Sequence, residues 1–475
     1  MMHTKTLFAL PTFTLTMFAL PLVALSGTVS AETSAPATEN EPGSLPVAPP
    51  GYVWQINPNM SDEFNSDGLN KALWRSTPNR WRGRPPAEFL PENVNVREGS
   101  LQLRTSTHPS PNDQFSMAGA GVGGIHQQTY GYFEARLKAS KTKMSTTFWL
   151  HSDQTEASGK GCEQEHRIEI DILETVGGWH QKKWTEFMNS NTHYKAGNLV
   201  DGKCEAQKYL SKGNDFATGG KLSDDYHRYA AWWQSPNLVH FYFDGEAVGS
   251  VKVSHERDPF PFDGPMSLRM VSETYAWQPK FAAEGMAPYP SAEELNDTAI
   301  NTAYYDYVRT YHLVPAPGNV LKNPDFEAPN LKESWDLSGD SAGLAKLANT
   351  HAQSLTIAGD STASQTVKVK KDTRYTLSFF AVGAGVSVSV SNPRGEPLVA
   401  QSTQSETFVP VHMSFDSGSD KHVLISISGS SPSVNYLDTF ALMETQEKTA
   451  NPAPASPSPS PSPSPKLETT ETEQG

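Results

Sequence analysis

Residues 167–174 read RIEIDILE. Ile168, Ile170 and Ile172 alternate with Arg167, Glu169 and Asp171, and strand side chains two apart share a face. The stretch predicts a β-strand with one face against a core and with Glu169 and Asp171 together on the other. Then the phase breaks. Leu173 follows Ile172 directly, so in a regular strand Glu174 would fall on the apolar face. A β-bulge at Ile172–Leu173 inserts one residue and restores the phase. All three carboxylates then line one face. Like charges crowded on a strand face are costly, so the fold must either use them or leave them in solvent.

Short aromatic and β-branched runs, cut by Gly, Asn, Asp and Pro, recur from about Gly51 to about Val314. They include YGYFEARLKA (130–139), STTFWLH (145–151), YHRYAAWW (226–233) and AYYDYVRTYHLV (303–314). HFYFDGEAV reads as a hairpin turning at Asp244-Gly245. Helical periodicity is scarce, and an all-β sandwich is expected. PAPGN (315–319) marks a boundary. Beyond it, residues 319–445 form a Ser-, Val- and Thr-rich block with one tryptophan, Trp335, of a size suited to a second, smaller β-sandwich.

The ends differ in kind. Residues 1–31 carry Lys5, an apolar Thr-rich run and Val29-Ser30-Ala31, the pattern of a signal peptide cleaved before Glu32. Pro11 and Pro21 interrupt that run, and no later segment reaches about 18 continuous apolar residues. The chain is therefore expected to be exported, to the periplasm or the extracellular space, without a membrane span. Residues 32–50 read as a disordered spacer, and 448–475 as a Pro/Ser-rich tail. In an exported protein Cys162 and Cys204 favour a disulfide over two free thiols. The net charge of −14 argues against general affinity for nucleic acid or anionic membranes. Against that background WRSTPNRWRGR (74–84) interleaves Trp74 and Trp81 with four arginines. Either it is a solvated basic loop, or its Trp faces stack on sugar rings while its Arg forks bind carboxylate or sulfate.

With the bulge, Glu169 and Glu174 lie four strand steps apart, roughly 13 Å between Cα atoms at about 3.3 Å per step. Leaning together, their carboxyls could reach about 5 to 5.5 Å, the separation of a retaining glycosidase. Glu169 would attack the anomeric carbon. Glu174 would protonate the leaving oxygen and later deprotonate water. Asp171 would orient Glu169 and, by repulsion, raise at least one pKa of the set. The bland alternative is an acidic, solvent-facing strand.

EIDILE is the bulged form of the ExDxxE signature of glycoside hydrolase family 16, which residues 51–314 resemble. SDEF (61–64), YGYFEARLKA, DDYHRYAAWW with HFYFDG, and YYDYVRTY (304–311) resemble its motifs in the same order. The resemblance implies a β-jelly-roll with a concave substrate groove, with Glu169 as nucleophile, Asp171 beside it and Glu174 as acid/base. Within the family, RWRGRPPAEFLPENVNV (80–96), STTFWL and MVSETYAWQP (270–279) are most similar to enzymes of red-algal galactans: β-porphyranases, β-agarases and carrageenases. The resemblance places substrate contacts at Trp81, Arg84, Trp149, His193, Glu273 and Trp277, and Arg269 is a further candidate substrate contact. Trp149 could instead be core, His193 structural, and Glu273 an ion-pair partner of Arg269. Arg167 shares the catalytic face by parity, as a charge partner of Glu169 or a substrate ligand. No cofactor is required for catalysis. A structural Ca²⁺ would involve Glu63 and Asp306. NVLKNPDFEAP (319–329) resembles the opening of jelly-roll carbohydrate-binding modules, with Trp335, Tyr375 and Tyr436 as candidate sugar platforms.

The expected function is an exported, endo-acting retaining hydrolase of β-1,4 galactosidic linkages in porphyran or agarose, working as a monomer on polysaccharide. The alternatives are a furcellaran- or carrageenan-active hydrolase, and a non-catalytic polysaccharide-binding protein.

Overall fold

The computed structural model describes residues 45–152, 166–201, 203–206, 210–254, 258–429 and 432–445. The signal peptide, residues 32–44, the Pro/Ser tail and Cys162 lie outside these, as does the side chain of Cys204, and with them the expected disulfide.

Five strands carry the site: β1 (Thr146–His151), β2 (His166–Thr175), β3 (Phe187–Val200), β4 (Leu210–Ala217) and β5 (Ser267–Ser272). They are antiparallel neighbours in the order β4-β3-β2-β1-β5, and Met117–Gly124 extends the sheet beyond β5. A second sheet is built around His227–Ser235, Gly131–Lys138 and Thr302–Pro315. Its hairpin turns at Asp244-Gly245, both at positive φ (49° and 90°), as a two-residue turn matched to strand twist requires.

The two sheets bury one core between them. Ile168 and Ile170 of β2, Phe148 and Leu150 of β1, and Leu268 and Met270 of β5 meet Phe133, Tyr229, Trp233, Phe241 and Tyr305 of the second sheet. The opposite face of β2 is left for the carboxylates. A register shift between Asp171 and Glu174 confirms the bulge. Ile172 and Leu173 are both buried, so the inserted residue hides its side chain in the core. The bulge frees a ladder carbonyl, and Ser190 Oγ donates to it, 2.8 Å from Ile172 O. That bond meets the requirement that a buried carbonyl find a donor.

Two expectations need correction. The spacer ends before residue 50: Leu45 packs beside Trp54, and Trp54 Nε1 donates to Pro46 O at 2.7 Å. Glu63 and Asp306, the residues expected beside a calcium, each face an arginine: Glu63 makes a bidentate pair with Arg309 (2.8 and 2.9 Å), and Asp306 binds Arg136 at 2.7 Å. Trp335 and Tyr375 are each only 1% exposed, inside the core of the second sandwich, and Tyr436 is half-buried. The first two cannot be sugar platforms.

The second sandwich, with its own core from Leu321 to Leu442, sits directly against the first. Segment 346–353 makes the junction. Gln234 Nε2 donates to Asn349 O (2.6 Å), His351 N donates to Gln234 O (2.8 Å), and a His351 ring nitrogen lies 3.0 Å from Leu313 O. Lys346 pairs with Asp263 at 2.6 Å, and Ala352 packs onto the first core. Gly51 sits so close to Ala441 that a Cβ there would collide with Ala441 Cβ. Among the described residues, no helix is long and apolar enough to cross a membrane.

Candidate active site

The register of the sheet arranges the site in rows. Glu169 on β2 faces His151 on β1 and His193 on β3. His193 in turn faces Ser211 on β4. In the next row Asp171 faces Trp149 on β1 and Asn191 on β3, and Trp149 faces Arg269 on β5. Past the bulge Glu174 faces Thr147. Strand pleating puts alternate residues of each strand on the same face, so these rows converge over one cleft of about 250 Å³. Its lining includes Trp81, Arg84, Trp149, Glu169, Asp171, Glu174, Arg269 and Glu273.

The contacts assign each group a place. Tyr275 donates its hydroxyl to Glu174 Oε1 at 2.8 Å. His193 Nε2 lies 3.0 Å from Asp171 Oδ2 and 3.9 Å from Glu169 Oε1, and His151 Nε2 lies 3.8 Å from Glu169 Oε2. Ser211 Oγ bonds His193 Nδ1 at 2.6 Å. The Arg269 guanidinium covers the Trp149 ring at 5.1 Å from its centroid, and Arg84 covers Tyr275 at 5.0 Å. Both guanidinium groups thus sit over aromatic rings at the cleft. Arg84 also lies 3.5 Å from the buried Glu273.

The buried carboxyls hold protons more tightly than usual. Burial chiefly pushes Glu169 up to about 8; the charges of Asp171 and Glu174 add to this, while His193 and Arg269 oppose it. Asp171 is raised well above the usual range, first by burial and then by Glu174, against a hydrogen bond from the Glu169 carboxyl. Burial also takes Glu273 up to about 8, against the pull of Arg84. In such a set the protons belong to the cluster rather than to one residue.

The structure brings together Glu169, Asp171, Glu174, Trp81, Arg84, Trp149, His193, Arg269 and Glu273, all expected from sequence. Two expected contacts fall elsewhere. Arg167 keeps the parity of Glu169 but is exposed, facing Lys195 toward the strand end and outside the cleft lining. Trp277 clusters with Tyr275 (5.4 Å) and Trp184 (4.6 Å), which lie 6.0 Å from each other, so it backs Tyr275 instead of lining the cleft. The ion-pair alternative for Glu273 finds Arg84 as a partner. His151 and Tyr275 were missed. Each sits in a motif already noted: His151 shares the parity of Trp149 in TTFWLH, and Tyr275 lies two residues before Trp277.

Residues 54–313 match the family described as beta-porphyranase A–D, GH16 domain. The chain belongs to this family. As a member of glycoside hydrolase family 16 it is a glycoside hydrolase. It is 37% identical over 298 residues to β-porphyranase B of Phocaeicola plebeius, covering 57% of this chain and 88% of that one. It is 37% identical over 284 residues to β-porphyranase B of Zobellia galactanivorans, covering 58% and 89%. The crystal structure of a β-porphyranase from the human gut bacterium Bacteroides plebeius matches with a TM-score of 0.50 and 35% identity, over 58% of this chain and 97% of that one. The family match ends at residue 313, before the second sandwich.

Proposed function

We propose that this chain is an exported, endo-acting, retaining hydrolase of β-1,4 galactosidic linkages in red-algal galactan, with porphyran ahead of agarose. The observation that carries the reading is the bulge that sets Glu174 on the same cleft face as Glu169 and Asp171. A retaining reaction needs a nucleophile and a proton donor on one cleft wall, and a lectin has no use for three crowded carboxylates. Two features favour a sulfated chain. Arg84 and Arg269 flank the carboxylates over aromatic rings, and the named relatives are porphyranases.

In the productive form the cluster's proton sits on Glu174, where the Tyr275 hydroxyl holds the carboxyl in place. A Glu169 oxygen bonds the anomeric carbon as the glycosidic C–O bond breaks, and Glu174 gives its proton to the leaving oxygen. Glu174 then takes a proton from water. The water oxygen bonds the anomeric carbon, and the bond to Glu169 breaks, restoring both carboxyls. The positive charge of Arg269 favours ionised Glu169 before attack.

Residues 32–447 digested with porphyran, agarose, κ-carrageenan, furcellaran and laminarin, alongside Glu169→Gln, provide the test. New reducing ends from porphyran, lost in the variant, are expected. Cleavage of carrageenan or furcellaran alone would move the substrate to that branch. Binding without cleavage by the wild type on all five would leave a polysaccharide-binding protein.

A further inference from the structure

The row through Glu169 continues past His193 to Ser211 on β4, an exposed residue that does not line the cleft. We propose that Ser211 is a positioning residue: its Oγ–H donates to His193 Nδ1 and so fixes the His193 proton on Nε2, facing Asp171 and Glu169. This deepens the hydrolase reading and rests on it for its kinetic consequence.

Two observations carry the assignment. The first is the 2.6 Å Ser211 Oγ to His193 Nδ1 contact between directly opposed residues of β3 and β4. A neutral imidazole has one donor and one acceptor nitrogen, so a hydroxyl that donates to Nδ1 leaves the ring proton on Nε2. The second is Asp171 Oδ2, which is buried and receives no hydrogen bond, yet has His193 Nε2 3.0 Å away. An acceptor that cannot reach water calls for a donor. When Asp171 is ionised, the Nε2–H tautomer brings a donor within 3.0 Å of this oxygen, and the Nδ1–H tautomer would set two acceptors against each other. A proton on Nε2 facing Asp171 lets that carboxylate stay ionised without taking the proton needed elsewhere. It also directs positive potential at Glu169, 3.9 Å from the same nitrogen.

The groups facing this pair are Glu169, Asp171 and Glu174 on β2, His151 on β1, Arg269 on β5, and Arg84 and Glu273 across the cleft. Ser211→Ala removes the donor from an exposed strand position, so the fold is expected to persist.

The test compares wild type, Ser211→Ala and Ser211→Thr by pH–rate profile and by ¹⁵N NMR of the histidine rings. Ser211→Ala is expected to lower kcat/KM on the acid limb by about tenfold and to move that limb up by about one pH unit. The His193 ring should pass from Nε2–H to a tautomer mixture. Ser211→Thr, which keeps the hydroxyl, should restore both. An unchanged profile and an unchanged His193 tautomer in Ser211→Ala would overturn the proposal while leaving the hydrolase intact. Inactivity of the wild type on every galactan would instead strike the proposed function, and the NMR result would still decide the tautomer.

Discussion

At the scale of single residues, each carboxyl of the cleft trades stability against function. Glu273 illustrates the sign. Its folded pKa, about 8, lies above the ordinary value of 4.5. Between those values the folded chain binds more protons than the unfolded one, so its contribution to stability falls as pH rises through that window. Glu273→Gln should remove this dependence: its melting temperature should exceed that of the wild type by more at pH 8 than at pH 5, as thermal unfolding across pH would show. Glu169 titrates in the same window, so kcat/KM should rise with pH through neutrality as the nucleophile loses its proton, a limb that Glu169→Gln abolishes together with activity. Tyr275→Phe deletes the hydrogen bond to Glu174 without opening a cavity. It should cut kcat on polysaccharide by about tenfold, in line with the ~1.5 kcal/mol of a bond to a charged group. An activated aryl galactoside, whose leaving group needs no proton, should lose less. Equal losses on both substrates would place Tyr275 in binding or folding instead.

At the scale of the element, β2 is the strand on which the site depends. Its core face requires Ile168, Ile170 and Leu173, and its cleft face requires Glu169, Asp171 and Glu174. The two demands are compatible only with one residue inserted between them. Ser190 supports that insertion by bonding the Ile172 carbonyl. Ser190→Ala should leave that carbonyl unsatisfied in the core and cost about 1–3 kcal/mol, read as a lower denaturation midpoint with an unchanged slope. Deleting Ile172 removes the inserted residue: Leu173 then takes the core parity and Glu174 keeps the cleft face in a regular strand. The variant should fold without the bulge, and a lower kcat at an unchanged unfolding slope would show that the bulge sets the spacing of the carboxylates rather than their face.

At the scale of the whole molecule, the second sandwich is joined to the catalytic one by hydrogen bonds, an ion pair and apolar packing through segment 346–353, beyond the covalent link at 316–318. A protease site placed in that link should be cut without separating the halves, which should co-elute in size-exclusion chromatography. Release of free halves would mark the second sandwich as a tethered module.

How much was legible follows from range. The strand, its bulge and the three carboxylates were readable because they depend on neighbours in sequence: a period of two and one break in it. The all-β architecture and the break near residue 315 were readable from turn residues and composition for the same reason. The missed and misplaced residues depend on partners far along the chain. His151 and Tyr275 acquire roles only when β1 and the segment after β5 close on β2. Trp277 and Trp335 look alike as exposed-platform candidates until packing stacks one behind Tyr275 and buries the other. Glu63 and Asp306 meet their partners Arg309 and Arg136 only in the fold. Local periodicity determined which face each carboxylate would take, because pleating is a property of the backbone. Only the tertiary structure decided which distant side chains desolvate, neutralise and orient those carboxylates, because burial and Coulomb contact are set by what the fold brings within a few ångströms.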